Sequence, residues 1–357
     1  MAITRIELRQ LKLPLVVPYK LSYRTFEAFE PYLVEIQTND GRYGFGDGHI
    51  SPGSSGETRE GGWAYCQEMI DRILGLEPEE AIGEVQARAS ESKVAASVLL
   101  TALEVLMDSS LLTIPEETVL PLLVPINATE EGAIADEVET LIGQGFRTFK
   151  VKVGKDVDAD LARVAGIQRA CAGRATLRLD ANRAYDRNQG QRFAASLDPT
   201  GIELFEQPCD ADDWEANAAV AAVSTVPLML DEPICSLADI ERAGGIDGVA
   251  LCKLKLKRFG SLAGLKAGLD AVRANGMEPV LGDGLGSEIT SWFEACVART
   301  TIRNAGEFNG FLKPVERLLS PSIPFSNGCI TLPAGYRPAL DRKKLDAATR
   351  ERANWEL

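Results

Sequence analysis

Short apolar runs alternate with helix-patterned stretches over most of this 357-residue chain. Each run ends in a polar or charged residue, and the stretch that follows carries apolar residues at helical spacing. Successive run ends lie 24 to 28 residues apart, about the length of one βα unit. Eight such units predict a closed barrel, whereas a doubly wound open sheet would not require eight evenly spaced units. The run ends are Asn127, Lys152, Asp180, Glu206, Asp231, Lys255, Asp283 and Glu307.

The N-terminal part has a different pattern. A strand-like segment at 3–15 precedes two strand patterns within 32–48, which Asn39-Asp40-Gly41 joins as a hairpin turn. Helical spacing follows up to about residue 112, and the pattern shifts near 115–121. The predicted fold is therefore α/β, a (β/α)8-type barrel with an N-terminal α+β cap that the C-terminal tail completes. The predicted parts are a capping domain at 1–119, a barrel catalytic domain at 120–320 and a C-terminal segment at 321–357 that packs back on the cap.

Composition and charge argue against several classes of protein. The chain is 45% hydrophobic and 25% charged, as is usual for soluble globular proteins, and we expect no membrane span and no secretory signal. Its net charge of −14 disfavours nucleic acid and anionic membranes as partners. Seven scattered cysteines without a CxxC pair are typical of reduced thiols, which predicts a cytoplasmic location. His49 is the only histidine, so a Ser-His-Asp triad or a multi-histidine metal site is disfavoured.

Three consecutive predicted strands end in carboxylates, at Asp180, Glu206 and Asp231. In a barrel these groups converge at the carboxyl edge of the strands, where barrel enzymes keep their active sites. Converging carboxylates repel one another unless a cation holds them, and oxygen ligands without histidine or thiolate suit Mg²⁺. Lys152 and Lys255 end the strands on either side, so a substrate held there would have a lysine on each face.

This arrangement predicts removal of a proton from the α-carbon of a small carboxylate substrate. A bound Mg²⁺ would stabilise the enolate that forms, and a lysine can act as the base if its pKa is lowered. Lys150 is a candidate for tuning Lys152. Lys253 and Lys257 are candidates for tuning Lys255.

The motifs at these strand ends resemble the enolase superfamily, in particular its muconate lactonizing enzyme subgroup. They are KxK at 150–152, DxN at 180–182, EQP at 206–208, DEP at 231–233 and K-x-x-R-x-G-S at 255–261. The resemblance implies that Asp180, Glu206 and Asp231 bind Mg²⁺ with support from Asn182. It implies Lys152 as one acid/base catalyst and the strand-six lysine as the other. A homo-oligomer is also implied.

The strand-six catalyst is Lys255 on this pattern, with Lys253 as the alternative. The family lysine is followed by Lys or Arg three positions later and by small residues five and six positions later. Lys255 satisfies this with Arg258, Gly260 and Ser261, whereas the positions after Lys253 do not match.

Two positions depart from the family pattern. Gly286 stands where many relatives carry a glutamate, and Asp283 or Glu288 could supply the missing carboxylate. Glu307-Phe308-Asn309 stands where dipeptide epimerases carry Asp-x-Asp, which holds a substrate ammonium group. One charge is kept at that place, so the resemblance favours a small amino-acid-like substrate.

Structural explanations compete with these roles. A single Asp after a strand is more often a helix cap, although three in succession between two lysines favour a metal site. Lys257 is expected to be a solvated residue beyond the strand. His49 is expected to be a loop residue that could contact substrate together with the cap loop Tyr19–Phe29, and Asp283 and Glu307 are open between substrate contact and structural hydrogen bonding.

Several reactions are compatible with this site. After α-proton removal, β-elimination of water would make the chain a lyase, with a cis-3-hydroxy-L-proline dehydratase as the most specific prediction. Reprotonation would make it an amino-acid or dipeptide racemase or epimerase, and a muconate-type cycloisomerase is a further alternative. A Schiff-base barrel with a nucleophilic lysine and a non-catalytic binding protein are competing hypotheses from other classes.

Overall fold

The computed structural model describes residues 1–20, 25–52 and 56–357, and its N-terminal part is a cap of strands and helices. A helix, α3, packs directly on the second strand of the predicted hairpin, β5. It can do so because Gly44 and Gly46 lack side chains: a Cβ there would lie 2.2 or 2.3 Å from a carbonyl oxygen of the helix. The elements of the cap are β1 (Ile3–Leu11), β2 (Leu13–Lys20), β3 (Thr25–Phe29), β4 (Tyr32–Thr38), β5 (Tyr43–Gly48), α1 (Arg59–Ile73), α2 (Pro78–Ala87) and α3 (Lys93–Leu106).

The middle of the chain alternates strands and helices, as its period predicts. After β6 (Thr118–Pro121), the elements are β7 (Val124–Ile126), α4 (Glu131–Gly143), β8 (Thr148–Lys152), α5 (Val157–Cys171), β9 (Thr176–Asp180), α6 (Arg187–Ser196), β10 (Ile202–Glu206), α7 (Trp214–Ala221), β11 (Leu228–Leu230), α8 (Leu237–Gly244), β12 (Val249–Leu254), α9 (Leu256–Phe259), α10 (Leu262–Ala274), β13 (Glu278–Leu281) and α11 (Glu288–Thr301). Strands β7 to β13 pair in sequence order as one parallel sheet. A large apolar cluster lies around this sheet, and a smaller one lies within the cap.

The sheet closes through the segment around Gly306, which has the place of the predicted eighth strand. This segment forms a bridge to Leu122 and not a full strand. Its backbone is nevertheless bonded on both sides: the Glu307 N–H donates to the Leu281 carbonyl, and the Leu123 N–H donates to the Gly306 carbonyl. The closed (β/α) barrel is therefore confirmed. Its eighth strand is reduced to a bridge, whereas the sequence period predicts a strand there.

The C-terminal residues return to the cap. The elements there are β14 (Leu319–Ser320), β15 (Phe325–Ser326), β16 (Cys329–Leu332), β17 (Ala339–Leu340), α12 (Arg342–Ala348) and β18 (Thr349–Glu356). β18 pairs antiparallel with β1, so the cap sheet has the order β18-β1-β4-β5. The C-terminal tail thus completes the cap, as the predicted fold class requires, while the domain boundaries at 119/120 and 320/321 stay predictions. Among the residues described, no helix has the length and apolar character needed to cross a bilayer.

Candidate active site

A cavity of about 590 Å³ opens at the carboxyl edge of the barrel, between the strands and the cap. Strand register explains its lining, since Lys152 of β8 lies opposite Asp180 of β9, which lies opposite Glu206 of β10. Parallel strands end at the same edge, so their last side chains converge there. The predicted site residues that line the cavity are Lys150, Lys152, Asp180, Asn182, Asp231, Lys253, Lys255, Asp283 and Glu307.

Lys150, Lys253, Glu206 and Glu307 form a buried ion cluster at the wall of this cavity. The Nζ atom of Lys150 lies 2.8 Å from Oε1 of Glu307 and 3.0 Å from Oε2 of Glu206. The Nζ atom of Lys253 lies 3.0 Å from Oε1 of Glu206 and also donates to Glu307. Each ammonium group therefore bridges the same two carboxylates, and Lys150 also connects the cluster to Asp180.

The electrostatics of this cluster keep its lysines protonated, which makes them unsuitable as the base. Burial alone lowers the pKa of Lys253, but the carboxylates of Glu206 and Glu307 outweigh burial and hold that pKa above its usual value. Burial raises the pKa of Glu307, but the two ammonium groups lower it to about 2. Burial and the Asp180 carboxylate raise the pKa of Glu206 to about 7. Lys253 therefore stays protonated, and a protonated lysine cannot accept the α-proton.

Lys152 and Lys255 stand at the two ends of the carboxylate row. The Nζ atom of Lys152 lies 2.6 Å from Oδ2 of Asp180 and also donates to the side-chain oxygen of Asn182. The Nζ atom of Lys255 lies 2.8 Å from Oδ2 of Asp231, at the other end. Each ammonium group thus reaches the cavity beside one carboxylate of the trio.

Lys255 has the electrostatic setting that a general base requires. Burial lowers its pKa, and the neighbouring Arg258 guanidinium lowers it further, followed by the Lys253 ammonium. The Asp231 carboxylate opposes this shift without cancelling it. The lowered pKa of Lys255 and the raised pKa of Lys253 favour Lys255 as the strand-six catalyst, although that assignment stays a prediction.

Lys257 does not have the environment that its sequence suggests. β12 ends at Leu254, and Lys257 lies in the one-turn helix α9, so its side chain leaves the alternation of the strand. It is not a solvated residue: its side chain is 16% exposed, and its Nζ atom lies 2.5 Å from Asp283. Asp283 is therefore held mainly by Lys257, while its distance to the Nζ atom of Lys255 is 3.9 Å. This ion pair forms one wall of the cavity.

The carboxylates Asp180, Glu206 and Asp231 have the donor chemistry and the burial of a site for a divalent cation, but in this arrangement they are not drawn together around one. All three are about 1% exposed, and Lys150 approaches two of them, with 2.8 Å between its Nζ atom and Oδ2 of Asp180. In this arrangement no three acidic side chains, within the ranges described, are grouped tightly enough to ligate one ion. A set of three buried oxygen donors that needs ammonium groups to offset its repulsion is the kind of set that Mg²⁺ binds.

His49 lies apart from the main cavity. It is 4% exposed between the rings of Phe26 and Phe29, and its Nδ1 atom accepts a hydrogen bond from the Glu30 N–H. Burial, followed by the Lys257 charge, lowers the pKa of His49 to about 3, so the ring is neutral. The predicted substrate contact of His49 has no support in this placement. Of the predicted cap loop, Tyr19 lines the cavity, while 21–24 lie outside the described residues.

Residues at or near the two departures from the family pattern make contacts within the protein, and for Glu307 this is one of the two roles that the sequence left open. Glu288 accepts the backbone N–H groups of Leu319 and Ile323 at 2.8 Å, so it does not replace the carboxylate missing at Gly286. Both carboxylate oxygens of Glu307 accept hydrogen bonds from lysines of the buried ion cluster. Asn309 donates to the Leu123 carbonyl and accepts from Lys313 at 2.9 Å.

Two further charged residues reach the site. Arg258 lies 2.9 Å from Oδ1 of Asp231 and follows Lys255 by three positions, a spacing that places both on one side of a helical turn. Glu232 follows Asp231 directly and lines the cavity, and burial raises its pKa. Arg258 belongs to the K-x-x-R motif and Glu232 belongs to the DEP motif. Both residues could therefore have been found from the sequence, although the motifs assign no role to either.

Comparison with known proteins places the chain among enzymes of similar architecture. Residues 133–338 match the family described as enolase C-terminal domain-like. The chain is 28% identical over 345 residues to an aromatic dipeptide epimerase from Herpetosiphon aurantiacus, with 91% of this chain and 93% of that protein covered. It is 28% identical over 364 residues to muconate cycloisomerase 1 from Rhodococcus opacus, with 94% of each covered.

A solved structure extends the match to the whole fold. The dipeptide epimerase from Cytophaga hutchinsonii, complexed with Mg and the dipeptide D-Ala-L-Val, superposes with a TM-score of 0.89 at 22% identity and covers 100% of both chains. The family match spans more than half of this chain. The chain therefore belongs to the enolase superfamily, in the muconate lactonizing enzyme subgroup.

Proposed function

We propose that this enzyme transfers the α-proton of a small carboxylate substrate between the two faces of its α-carbon, as a racemase or epimerase. The observation that carries the proposal is the symmetry of the site. Lys152 and Lys255 flank the row Asp180–Glu206–Asp231 from opposite ends, each in contact with a terminal carboxylate. A substrate carboxylate held at this row would present its α-carbon to both amino groups.

Each residue has a defined task in this reaction. Mg²⁺, which Asp180, Glu206 and Asp231 would hold, supplies positive charge beside the substrate carboxylate and so favours loss of the α-proton. One lysine, in its neutral form, takes the proton from one face of the carbon. The ammonium group of the other lysine returns a proton to the opposite face, which inverts the configuration.

The segment in the place of strand eight narrows the range of substrates that the site would accept. In dipeptide epimerases the Asp-x-Asp at this place holds a substrate ammonium group, but here Glu307 is committed to Lys150 and Lys253. Asn309 is bonded to Lys313, whose ammonium group lies over the Tyr19 ring at 4.7 Å from its centroid. A substrate ammonium group at this place would be repelled by the ammonium group of Lys313. The geometry therefore supports an α-amino acid whose nitrogen is acylated and uncharged.

Dehydration has less support. The relatives described above are epimerases and a cycloisomerase, which favours reprotonation over elimination of water from hydroxyproline. The cytoplasmic location and homo-oligomeric state expected from the sequence remain predictions.

The test is hydrogen exchange at the α-carbon. Incubation in D₂O with Mg²⁺ and the separate enantiomers of N-acetylated amino acids should put deuterium at the α-carbon and interconvert the enantiomers. EDTA should abolish both effects, and added Mg²⁺ should restore them. Lys152→Met should retain exchange with one enantiomer only and Lys255→Met with the other, because each variant keeps one base.

Lys266→Met serves as the matched control, because Lys266 is a surface lysine that pairs with Asp270. The proposal is refuted if no N-acylated, free or dipeptide substrate exchanges its α-proton in the presence of Mg²⁺. Borohydride trapping of a carbonyl substrate, with activity that survives EDTA, would instead support the Schiff-base hypothesis.

A further inference from the structure

Glu294 is a buried carboxyl group close to the proposed catalyst Lys255. It lies on α11, is 2% exposed, and borders a small second cavity of about 20 Å³ that Lys257 and Asp283 share with the main one. Burial and the Asp283 charge raise the pKa of Glu294 to about 8, so the group is mostly uncharged near neutral pH. The motifs assign no role to this residue.

The contact of Glu294 lies next to the catalytic lysine. Its Oε1 atom accepts a hydrogen bond from the Leu256 N–H at 3.3 Å. Leu256 is the first residue of the one-turn helix α9, so its N–H group has no acceptor within that turn. The peptide group that carries this N–H joins Lys255 to Leu256, so the bond restrains the backbone of Lys255 itself.

The backbone of Lys255 lies between the end of β12 and the start of α9. β12 has ended at Leu254, and the Lys255 carbonyl accepts from the Arg258 N–H at 3.0 Å within the turn. The orientation of the Lys255 side chain therefore depends on how the start of this turn is held as well as on its ion pair with Asp231. A displacement of about 1 Å at a catalytic group is enough to lower a rate by about 100-fold.

We propose that Glu294 is a positioning residue that holds the Lys255–Leu256 peptide and thereby directs the Lys255 ammonium group toward the substrate. The inference rests on the proposed function for its kinetic consequence, but its structural consequence does not need a substrate. Gly286, where the family pattern has a glutamate, lines the same small cavity as Glu294.

The experiment compares Glu294→Gln, which keeps an acceptor oxygen, with Glu294→Leu, which removes it at similar volume. The matched control is Glu288→Leu, which removes a buried carboxyl group from the same helix but away from the cavity. Thermal unfolding of all three variants establishes which are folded. Crystal structures of wild type and variants then report the distance from the Nζ atom of Lys255 to Asp231.

We expect Glu294→Leu alone to displace the Nζ atom of Lys255, by about 1 Å, and Glu294→Gln to keep its place. With an exchanging substrate, Glu294→Leu should lose about 10- to 100-fold in kcat for the enantiomer that Lys255 serves, with little change in KM. That enantiomer is the one whose exchange survives in Lys152→Met. Exchange of the opposite enantiomer should fall much less.

An unmoved Lys255 in Glu294→Leu would overturn the inference whatever the activity. Equal loss for both enantiomers, or equal loss in Glu294→Gln and Glu294→Leu, would overturn it as well. A wild-type enzyme that exchanges no substrate would count against the proposed function, while the crystal structures would still decide the role of Glu294.

Discussion

His49 shows how little a residue's type says about its role at the scale of a single side chain. A lone histidine in a polar loop suggested either solvent exposure or substrate contact. The structure buries it between Phe26 and Phe29, where a charged ring would lose its hydration. The Nδ1 atom of His49 accepts the Glu30 N–H, so a second proton on the ring would have to displace that hydrogen bond.

This burial predicts a pH dependence of stability. The unfolded chain binds a proton at His49 below about pH 6.5, while the folded pKa is about 3, so the free energy of unfolding falls as the pH drops through this window. At pH 5 the loss from this residue is about 2 kcal/mol relative to pH 7. Urea unfolding at both pH values should show a smaller change in His49→Asn. An identical change in the two proteins would mean that His49 is not buried in its neutral form.

The proposed catalytic lysines illustrate what residue spacing can and cannot predict. The resemblance to the family's K-x-x-R-x-G-S pattern favours Lys255 over Lys253, and the opposite directions of their pKa shifts support that choice. The spacing could not indicate that Glu307 would bind Lys253, because the two residues are 54 positions apart. That contact removes the free carboxylate on which amine recognition had been predicted.

At the scale of elements, the closure of the barrel at the segment around Gly306 depends on a glycine. Gly282 follows β13 and has φ of 128°, and a Cβ at this position would lie 2.4 Å from the Phe308 nitrogen. The segment that contains Phe308 also places Glu307 in the buried ion cluster. Close contact between these two backbones is therefore part of how the barrel closes.

We expect Gly282→Ala to destabilise the protein more than Gly276→Ala. The φ of Gly276 is 76°, near the left-handed helical region, where alanine costs about 1–2 kcal/mol, and a Cβ there would meet open space. The additional loss in Gly282→Ala measures the greater backbone strain at a φ of 128° together with the steric conflict with Phe308. Denaturant unfolding of both variants gives the comparison, and equal losses would show that the barrel can relax around a methyl group there.

At the scale of the whole molecule, the cap and the barrel are joined by specific polar contacts as well as by packing. Glu104 of the cap helix α3 accepts the Leu262 N–H at 2.7 Å and the Ala263 N–H at 2.9 Å, at the start of the barrel helix α10. Lys93, also on α3, donates to the Cys235 carbonyl at 3.2 Å. The cap thus satisfies N–H groups that α10 cannot pair internally.

Glu104→Ala should lower the free energy of unfolding by about 1–2 kcal/mol, since two helix N-terminal donors lose their acceptor. Glu84→Ala, at an exposed position of α2, is the control and should change it by less than about 0.5 kcal/mol. Thermal or denaturant unfolding measures both. If the two variants have the same stability, the contact between cap and barrel is energetically neutral.

The order and spacing of the motifs were enough to predict the barrel, the cap completed by the tail, and the edge at which the site residues meet. That information is local: in a parallel sheet the last residue of every strand lies at one edge, so a residue's position within its strand determines its place. Which charged groups pair across that edge depended on packing between distant segments. The buried ion cluster, the Lys257–Asp283 pair and the contact of Glu294 with the Leu256 N–H were decided only by the tertiary structure, because no local pattern specifies contacts between residues so far apart in sequence.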